Sequence, residues 1–408
     1  MMKRWLSLIG IGEEGYQSLS SAARLIVDNA DIIVGGHRHL AMVPRGKKTL
    51  LPWKRPIHSS IDDLVEYRGR EVCVLATGDP FCYGVGNLIK KRVPIEEINV
   101  IPAPSAFSLA TARTGWGFEE IDFITLHGRN DALLEVVIQP QAKLLILAHN
   151  GSTPSMVAKK LVKRGYGEST ITVFECMGNP AERSVYGKAC DWVECEFDPL
   201  HTIAVECIAE PLHTQQPRLS CLADNFFSHD GKITKEDIRS ISINALMPTP
   251  GQILWDVGAG CGSIGIEWMR RDKRLRAVAI EYQENRLRFI AKNAIALGTP
   301  NLKIINGRAP QALKRLETPD AIFIGGGLSN VGVFEACWQA LRVGGRLVVN
   351  AITTESEAIL INLNQNFGGD LTRIAISKTH PLGKHTGWKT FMPTLQWRVT
   401  KGYMAITQ

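Results

Sequence analysis

Ile253-Leu-Trp-Asp-Val-Gly-Ala-Gly-Cys-Gly262 is the stretch on which the fold turns. A largely apolar run carries an acid, Asp256, three glycines follow at alternate positions (Gly258, Gly260, Gly262), and a helical pattern opens at Ser263. A strand that passes into a helix through such a turn lets a ligand lie against bare backbone, because glycine has no Cβ to hold it off. The acid ahead of the glycines points away from phosphate and toward a cationic ligand. S-adenosyl-L-methionine, with its ammonium and sulfonium groups, fits that description.

Taken alone the turn is ambiguous, since Gly260-Cys-Gly262-Ser-Ile-Gly265 also satisfies the dinucleotide pattern G-x-G-x-x-G. Downstream, Ala277-Val-Ala-Ile-Glu281 reads as a second strand ending in an acid, about 20 residues past the glycines, where a ribose-binding carboxylate belongs for either cofactor. A helix from Asn285 to Leu297 follows, then strands at Lys303 to Ile305, in Pro319 to Gly327, and in Gly344 to Asn350. The tail holds two more strand-like runs, Leu371 to Ser377 and Thr394 to Val399, with a loop between them. Helices alternating with five strands, then a final pair, predict an α/β fold in which an antiparallel hairpin is added to a parallel sheet. That addition favours a methyltransferase over a dehydrogenase.

At 408 residues the chain predicts two domains. Its 45% apolar and 21% charged content is that of a globular protein. No apolar run approaches the roughly 20 residues needed to span a bilayer, so no membrane partner is expected. Met1 to Gly10 is too short and lacks the cleavage site of a secretory signal. Nine cysteines, with no C-x-x-C pair and no histidine cluster to complete a zinc set, predict reduced thiols in a cytoplasmic enzyme and no metal site. The net charge of +7 is diffuse; it suits an anionic substrate but lacks the basic stripe of a nucleic-acid binder. Glu210-Pro-Leu-His-Thr-Gln-Gln-Pro217 is polar, carries two prolines and has no apolar period. It predicts domains at 1–210 and 225–408, with a linker over 211–224.

The first half opens with Leu6-Ser-Leu-Ile-Gly-Ile-Gly-Glu-Glu-Gly15, a strand and a glycine turn. Asp31 begins the next strand instead of ending it, which argues against a dinucleotide site here. Val72-Cys-Val-Leu-Ala-Thr-Gly-Asp-Pro-Phe81 is a buried strand ending in a rigid turn. In Ile101 to Ala110 a strand end meets a helix start, with Ser105 available as its cap. Leu144 to His149 and Thr170 to Cys176 read as further strands.

These motifs carry a resemblance along nearly the whole chain. The first half resembles the tetrapyrrole methylase family through the Gly10/Gly12/Gly15 turn, the Thr77-Gly-Asp-Pro80 loop, Pro104-Ser-Ala106 and Leu126-His-Gly-Arg129. It departs in one place, where Glu13-Glu14 replaces a proline usual in the first turn. The second half resembles class I methyltransferases of vitamin B12 corrin precursors through Lys232-Ile-Thr-Lys-Glu-Asp-Ile-Arg239, the Asp256 turn, Glu281, Gly307-Arg-Ala-Pro-Gln-Ala-Leu313 and Gly325-Gly-Gly327. The resemblance implies a tetrapyrrole-methylase-type α/β domain followed by a Rossmann-like class I sheet. It implies methylation at C5 by the first, and C15 methylation with loss of CO₂ from the C12 acetate by the second. The substrate implied is a small-molecule tetrapyrrole, with or without cobalt, and a homo-oligomer is expected because tetrapyrrole methylases dimerise. Two S-adenosylmethionine sites follow from the resemblance. One falls on Thr77, Gly78, Asp79, Ser105 and Ala106. The other falls on Thr234, Asp256, Gly258, Ala259, Gly260, Cys261, Gly262, Glu281 and Ala309, with Glu281 accepting both ribose hydroxyls.

Plainer readings stand beside these. Gly-Asp-Pro is a common structural turn, and Asp256 alone would serve as a helix cap. His37 and His39 read as part of a solvated surface turn in preference to a metal pair, and His127 and His149 as satisfied structural histidines. Lys378, His380, Lys384 and His385 lie in the loop between the last two strands; they either hold substrate carboxylates or are simply solvated, and Arg308 poses the same choice. An alternative class is an RNA or protein methyltransferase whose first half is a recognition domain. Amino-group methylases of that kind carry an N/D-P-P-Y-type loop where this chain has Ile324-Gly-Gly-Gly327. A catalytically silent binding protein is the third class, disfavoured by two intact glycine turns and the acid at Glu281.

Overall fold

A computed structural model describes residues 4–214 and 216–402. Met1 to Lys3 of the N-terminal stretch, Gln215 of the expected linker and the last six residues of the expected second domain lie outside the described residues. The chain divides into two compact units, Met1–Arg129 with Ile138–Thr214, and Asn130–Val137 with Gln215–Gln408. Cys221 and Leu222, assigned to the linker by sequence, are buried in the core of the second unit. The apolar run Cys221-Leu222-Ala223 at the end of that segment was the signal for it.

The first unit contains two five-stranded sheets. In one, the strands run in the order Thr49–Pro52, Ile32–Gly35, Val72–Thr77, Leu6–Ile11, Ile98–Ile101, all parallel. Both faces are covered, and the pleat sorts the side chains: Leu6, Leu8, Val72 and Val74 enter one core, while Ile9, Ile11, Cys73 and Leu75 enter the other. Register pairs Ile11 with Thr77, so the strands Leu6–Ile11 and Val72–Thr77 end flush. The second sheet, Ile121–Thr125, Lys143–Leu147, His201–Glu206, Thr170–Glu175, Arg183–Lys188, is mixed, with only its first pair parallel.

The second unit is built on one seven-stranded sheet in the order Lys303–Asn306, Arg276–Glu281, Ile253–Val257, Ala321–Ile324, Arg346–Ala351, Thr394–Thr400, Asp370–Ile374. The first five strands are parallel and the last two antiparallel, as the alternation of helices and strands predicts. Leu254, Ala277, Ala279 and Phe323 pack against the helices Glu236–Leu246, Ser263–Arg271 and Glu284–Ala296. Trp255, Val257, Ile322 and Val349 face Val333–Ala340 and Thr354–Phe367 on the other side. Strand order reverses between Ile253–Val257 and Ala321–Ile324, and ligands of open α/β sheets bind at the carboxyl ends of such a switch point.

One expectation needs correcting. The stretch from Lys378 to His385, read as a loop, is the first strand and turn of a separate two-stranded ribbon, Ser377–Leu382 paired with His385–Thr390. Almost all of its side chains are exposed, so no buried face imposes the alternation by which a strand is read from sequence.

Candidate functional site

In the second unit the glycine turn is held open by backbone geometry. Gly258, Gly260 and Gly262 all have left-handed φ values of +72°, +59° and +82°, a region costly for residues with a Cβ. The N–H groups of Gly258 and Ala259 both reach the Ile280 carbonyl, at 3.0 and 3.1 Å, which ties the turn to the neighbouring strand. A Cβ on Gly260 would meet nothing closer than 3.6 Å, so its bare backbone faces open space. That space is a cavity of about 930 Å³, lined by Asp256, Gly258 to Cys261, Glu281, Thr234 and Ala309 among others. Eight of the nine sequence-assigned positions therefore converge; Gly262 does not line the cavity. A Cβ there would press on Ile290 at 3.0 Å; its role is to start the helix at Ser263.

Glu281 is buried and tightly held. Its carboxylate accepts the Gly260 N–H at 3.0 Å through one oxygen, and those of Tyr282 and Gln283 at 2.8 and 3.0 Å through the other. A carboxylate has about four acceptor positions, so about one remains free. A ribose offering two hydroxyls must share an oxygen with a backbone N–H. Asp256 lines the cavity and also accepts the Gly265 N–H at 3.0 Å in the first turn of the helix, the plain capping role. Burial pushes its carboxyl up to about 7; the Gly265 N–H opposes that rise and the nearby Glu281 charge adds to it. Burial likewise pushes the Cys261 thiol up to about 11, so it is no thiolate nucleophile near neutral pH.

Thr234 is placed by a buried arginine. The Arg239 guanidinium donates to the Thr234 carbonyl at 2.6 Å, to Asp224 at 3.0 Å, to Glu267 at 3.3 Å and to the Leu222 carbonyl, and lies 4.8 Å from the Phe227 ring centre. At the cavity margin Arg308 stacks over the Tyr282 ring at 3.8 Å, and Lys378 pairs with Asp237 at 2.6 Å. His380, Lys384 and His385 are exposed on the ribbon and are not part of the lining. Sequence reasoning passed over Asn350, Ile352, Ile374, Phe391 and Met392, which also line the cavity.

In the first unit, three backbones interlock. A Cβ on Gly10 would lie 2.0 Å from the Gly78 carbonyl oxygen and 2.3 Å from the Ala103 nitrogen, and one on Gly78 (φ +57°) would lie 2.8 Å from the Pro104 oxygen. Thr77, Gly78, Asp79, Ser105 and Ala106 thus meet at the carboxyl ends of two strands. Asp79 accepts the Phe81 N–H at 2.7 Å, the plain turn role, and Ser105 caps its helix by accepting the Ser108 N–H at 3.1 Å. His37–Ala41 is a short helix, not a solvated turn. From it Arg38 and His39 reach the Thr77 hydroxyl at 3.0 and 2.9 Å, and Arg38 pairs with Glu13, at the turn where the family's proline is replaced. Burial, then the Arg38 charge, pushes the His39 imidazole down to about 4, so it is neutral. Among the described residues no group of three or more His, Cys, Asp or Glu side chains is arranged to hold a metal ion, and no helix is long and apolar enough to cross a membrane. All nine cysteines are unpaired.

Comparison with known proteins matches two family models to successive parts of the chain. Residues 6–191 match the family model of tetrapyrrole (corrin/porphyrin) methylases, and residues 225–401 that of the precorrin methyltransferase domain. A protein of Sinorhizobium named precorrin-6Y C(5,15)-methyltransferase [decarboxylating] is 41% identical over 98% of this chain and 97% of its own. A cobalt-precorrin-7 C(5)-methyltransferase of Salmonella typhimurium is 28% identical over 44% of this chain and 88% of its own. A probable cobalt-precorrin-6B C(15)-methyltransferase (decarboxylating) of Saccharolobus solfataricus is 31% identical over 38% of this chain and 83% of its own.

Proposed function

This chain belongs to the precorrin-6Y C5,15-methyltransferase (decarboxylating) family, and from that premise we propose that each of its two α/β units binds one S-adenosylmethionine and methylates one meso carbon of the same macrocycle. It is a methyltransferase of cobalamin biosynthesis that uses S-adenosylmethionine, adds methyl groups at C5 and C15 of precorrin-6Y or its cobalt form, and decarboxylates an acetate side chain. The observation that carries this is the 41% identity along 98% of the chain, with the family's glycine turn and Glu281 standing in one cavity.

In the division of labour, the first unit methylates C5, and the second methylates C15 and removes CO₂ from the C12 acetate. Relatives about half as long bear one methylated position each in their names, C(5) in one and C(15) with decarboxylation in the other, which supports a split along the chain. When bound, the donor supplies an electrophilic methyl group on a sulfonium. The residues of the chain align and exclude water; positioning of this kind can supply roughly 7–11 kcal/mol of a barrier. In the second unit Gly258 to Gly260 offer bare backbone, Glu281 fixes a ribose, and Asp256 supplies negative charge. In the first, Thr77 to Asp79 and Ser105–Ala106 present the corresponding loops. A homo-oligomer and a cytoplasmic setting belong to the same reading.

The test uses the full chain with S-adenosylmethionine and the tetrapyrrole, followed by mass spectrometry. Two gains of about 14 mass units (one methyl for hydrogen each) and one loss of about 44 (CO₂) are expected, by the arithmetic of in-line methyl transfer between aligned groups. Equilibrium dialysis should find two bound donors per chain; a single one would refute the two-site reading.

A further inference from the structure

The cavity of the second unit has one wall with a different chemistry from the rest. Antiparallel register sets Asn350 beside Gln396 on adjacent strands. The Gln396 amide donates to Asn350 Oδ1 at 3.0 Å and to Ser242 Oγ at 3.1 Å. Asn350 Nδ2 donates to the same Ser242 oxygen at 2.9 Å, and that hydroxyl donates its own proton to the Ile238 carbonyl at 2.8 Å. Ser242 and Gln396 are buried, while Asn350 lines the cavity. The network fixes which end of the Asn350 amide is which, and leaves its second Nδ2–H for the cavity. The lining residues that register places on the same face of these strands, Thr394 and Ile374, are neutral, as are Ile352, Phe391 and Met392 nearby in sequence. Lys378, a cation of the lining that lies on the ribbon, is engaged by Asp237.

This matters because the substrate's carboxylates have different fates. A carboxylate that stays gains from a cation. One that must leave as CO₂ has its charge localised before the C–C bond breaks and spread over the ring afterwards. An ion pair would stabilise its ground state more than its transition state. A neutral donor in apolar surroundings orients the group while withholding that stabilisation.

We propose that the acetate lost as CO₂ is seated against the Asn350 amide and the Ile352–Ile374 wall, with Asn350 as its positioning residue; this rests on the decarboxylating function proposed above. The bond from the acetate methylene to its carboxyl carbon breaks, and the electron pair passes into the conjugated macrocycle. The methylene carbon then takes a proton from solvent. One acetate and one proton become one methyl group and one CO₂, with no external oxidant or reductant.

The test compares the full chain with Asn350→Ala and with Ile352→Lys, which places a cation on an exposed part of the wall (Ile352 is 58% exposed) and tests the idea should the first variant fail to fold. Each is given S-adenosylmethionine and the tetrapyrrole, and methyl gain and CO₂ loss are quantified together. The expected result is CO₂ loss slowed at least tenfold in both variants, with a methylated product that retains its carboxyl accumulating. A merely structural defect would depress methyl gain and CO₂ loss in parallel, and that result would overturn the proposal, as would unchanged CO₂ loss in Ile352→Lys. A parent chain that never loses CO₂ would instead bring down the function on which the proposal stands.

Discussion

Gly258 and Gly326 lie backbone against backbone: a Cβ at position 258 would stand 2.8 Å from the Gly326 carbonyl oxygen and 2.9 Å from its Cα and nitrogen. The two loops that flank the switch point of the sheet are therefore in direct contact, and a side chain at position 258 has no room, whereas a Cβ at position 326 would meet Gly258 only at 3.9 Å. Gly258→Ala would incur both this clash and a left-handed φ of +72°, a strain of roughly 1–3 kcal/mol before any clash is relieved. The expected outcome is a folded chain that binds one donor in equilibrium dialysis where the parent binds two. Its product should gain the C5 methyl but show no C15 methylation.

Gly10→Ala should do the converse. Its Cβ would fall 2.0 Å from the Gly78 oxygen and 2.3 Å from the Ala103 nitrogen, so the loops carrying Gly78 and Ser105 must separate. Mass spectrometry of the product should then show CO₂ lost and the C15 methyl present, with the C5 methyl missing. Loss of both methylations in this variant would defeat the assignment of one carbon to each unit.

The glycine turn, Glu281 and the five parallel strands of the second unit were legible because each leaves a local mark: an apolar run, a turn residue, an acid at a strand's end. The ribbon Ser377–Thr390 was not, since two solvated strands have no inner face to enforce alternation. Nor was the pairing of Asn350 with Gln396, which are 46 positions apart and meet only through register. Arg38 and His39 show the same limit. Sequence placed them in a surface turn, whereas the fold brings them to Thr77, a residue 39 and 38 positions away.

Arg239 should be a stability residue with a functional echo. It is fully buried and bonded to Asp224, Glu267 and two carbonyls. Arg239→Met leaves the buried Glu267, whose carboxyl burial already pushes up, without its cation. Removing one partner of such a network typically costs about 3–5 kcal/mol. Denaturant unfolding should register a loss of that order in the second unit. Arg239→Lys should recover little of it, because an ammonium cannot reproduce the planar fork that spans these acceptors.

Asp256 gives the chain a predictable pH dependence. Its ordinary value is 3.8 and the folded value is about 7, so between those limits the unfolded chain has lost a proton that the folded chain keeps. Stability from this group therefore falls as pH rises through the window, by up to roughly 1.4 kcal/mol per unit, and levels off above it. Asp256→Asn keeps an oxygen for the Gly265 N–H and removes the titration, so thermal melts at pH 5, 6, 7 and 8 should show a flatter profile than the parent. A cationic donor reverses the preference by favouring the carboxylate. Its affinity for the second unit should rise from pH 6 to 8, and calorimetry in two buffers of different ionisation enthalpy should detect a proton released on binding. Equal heats in the two buffers would mean that Asp256 holds the helix alone and takes no part in receiving the donor's charge.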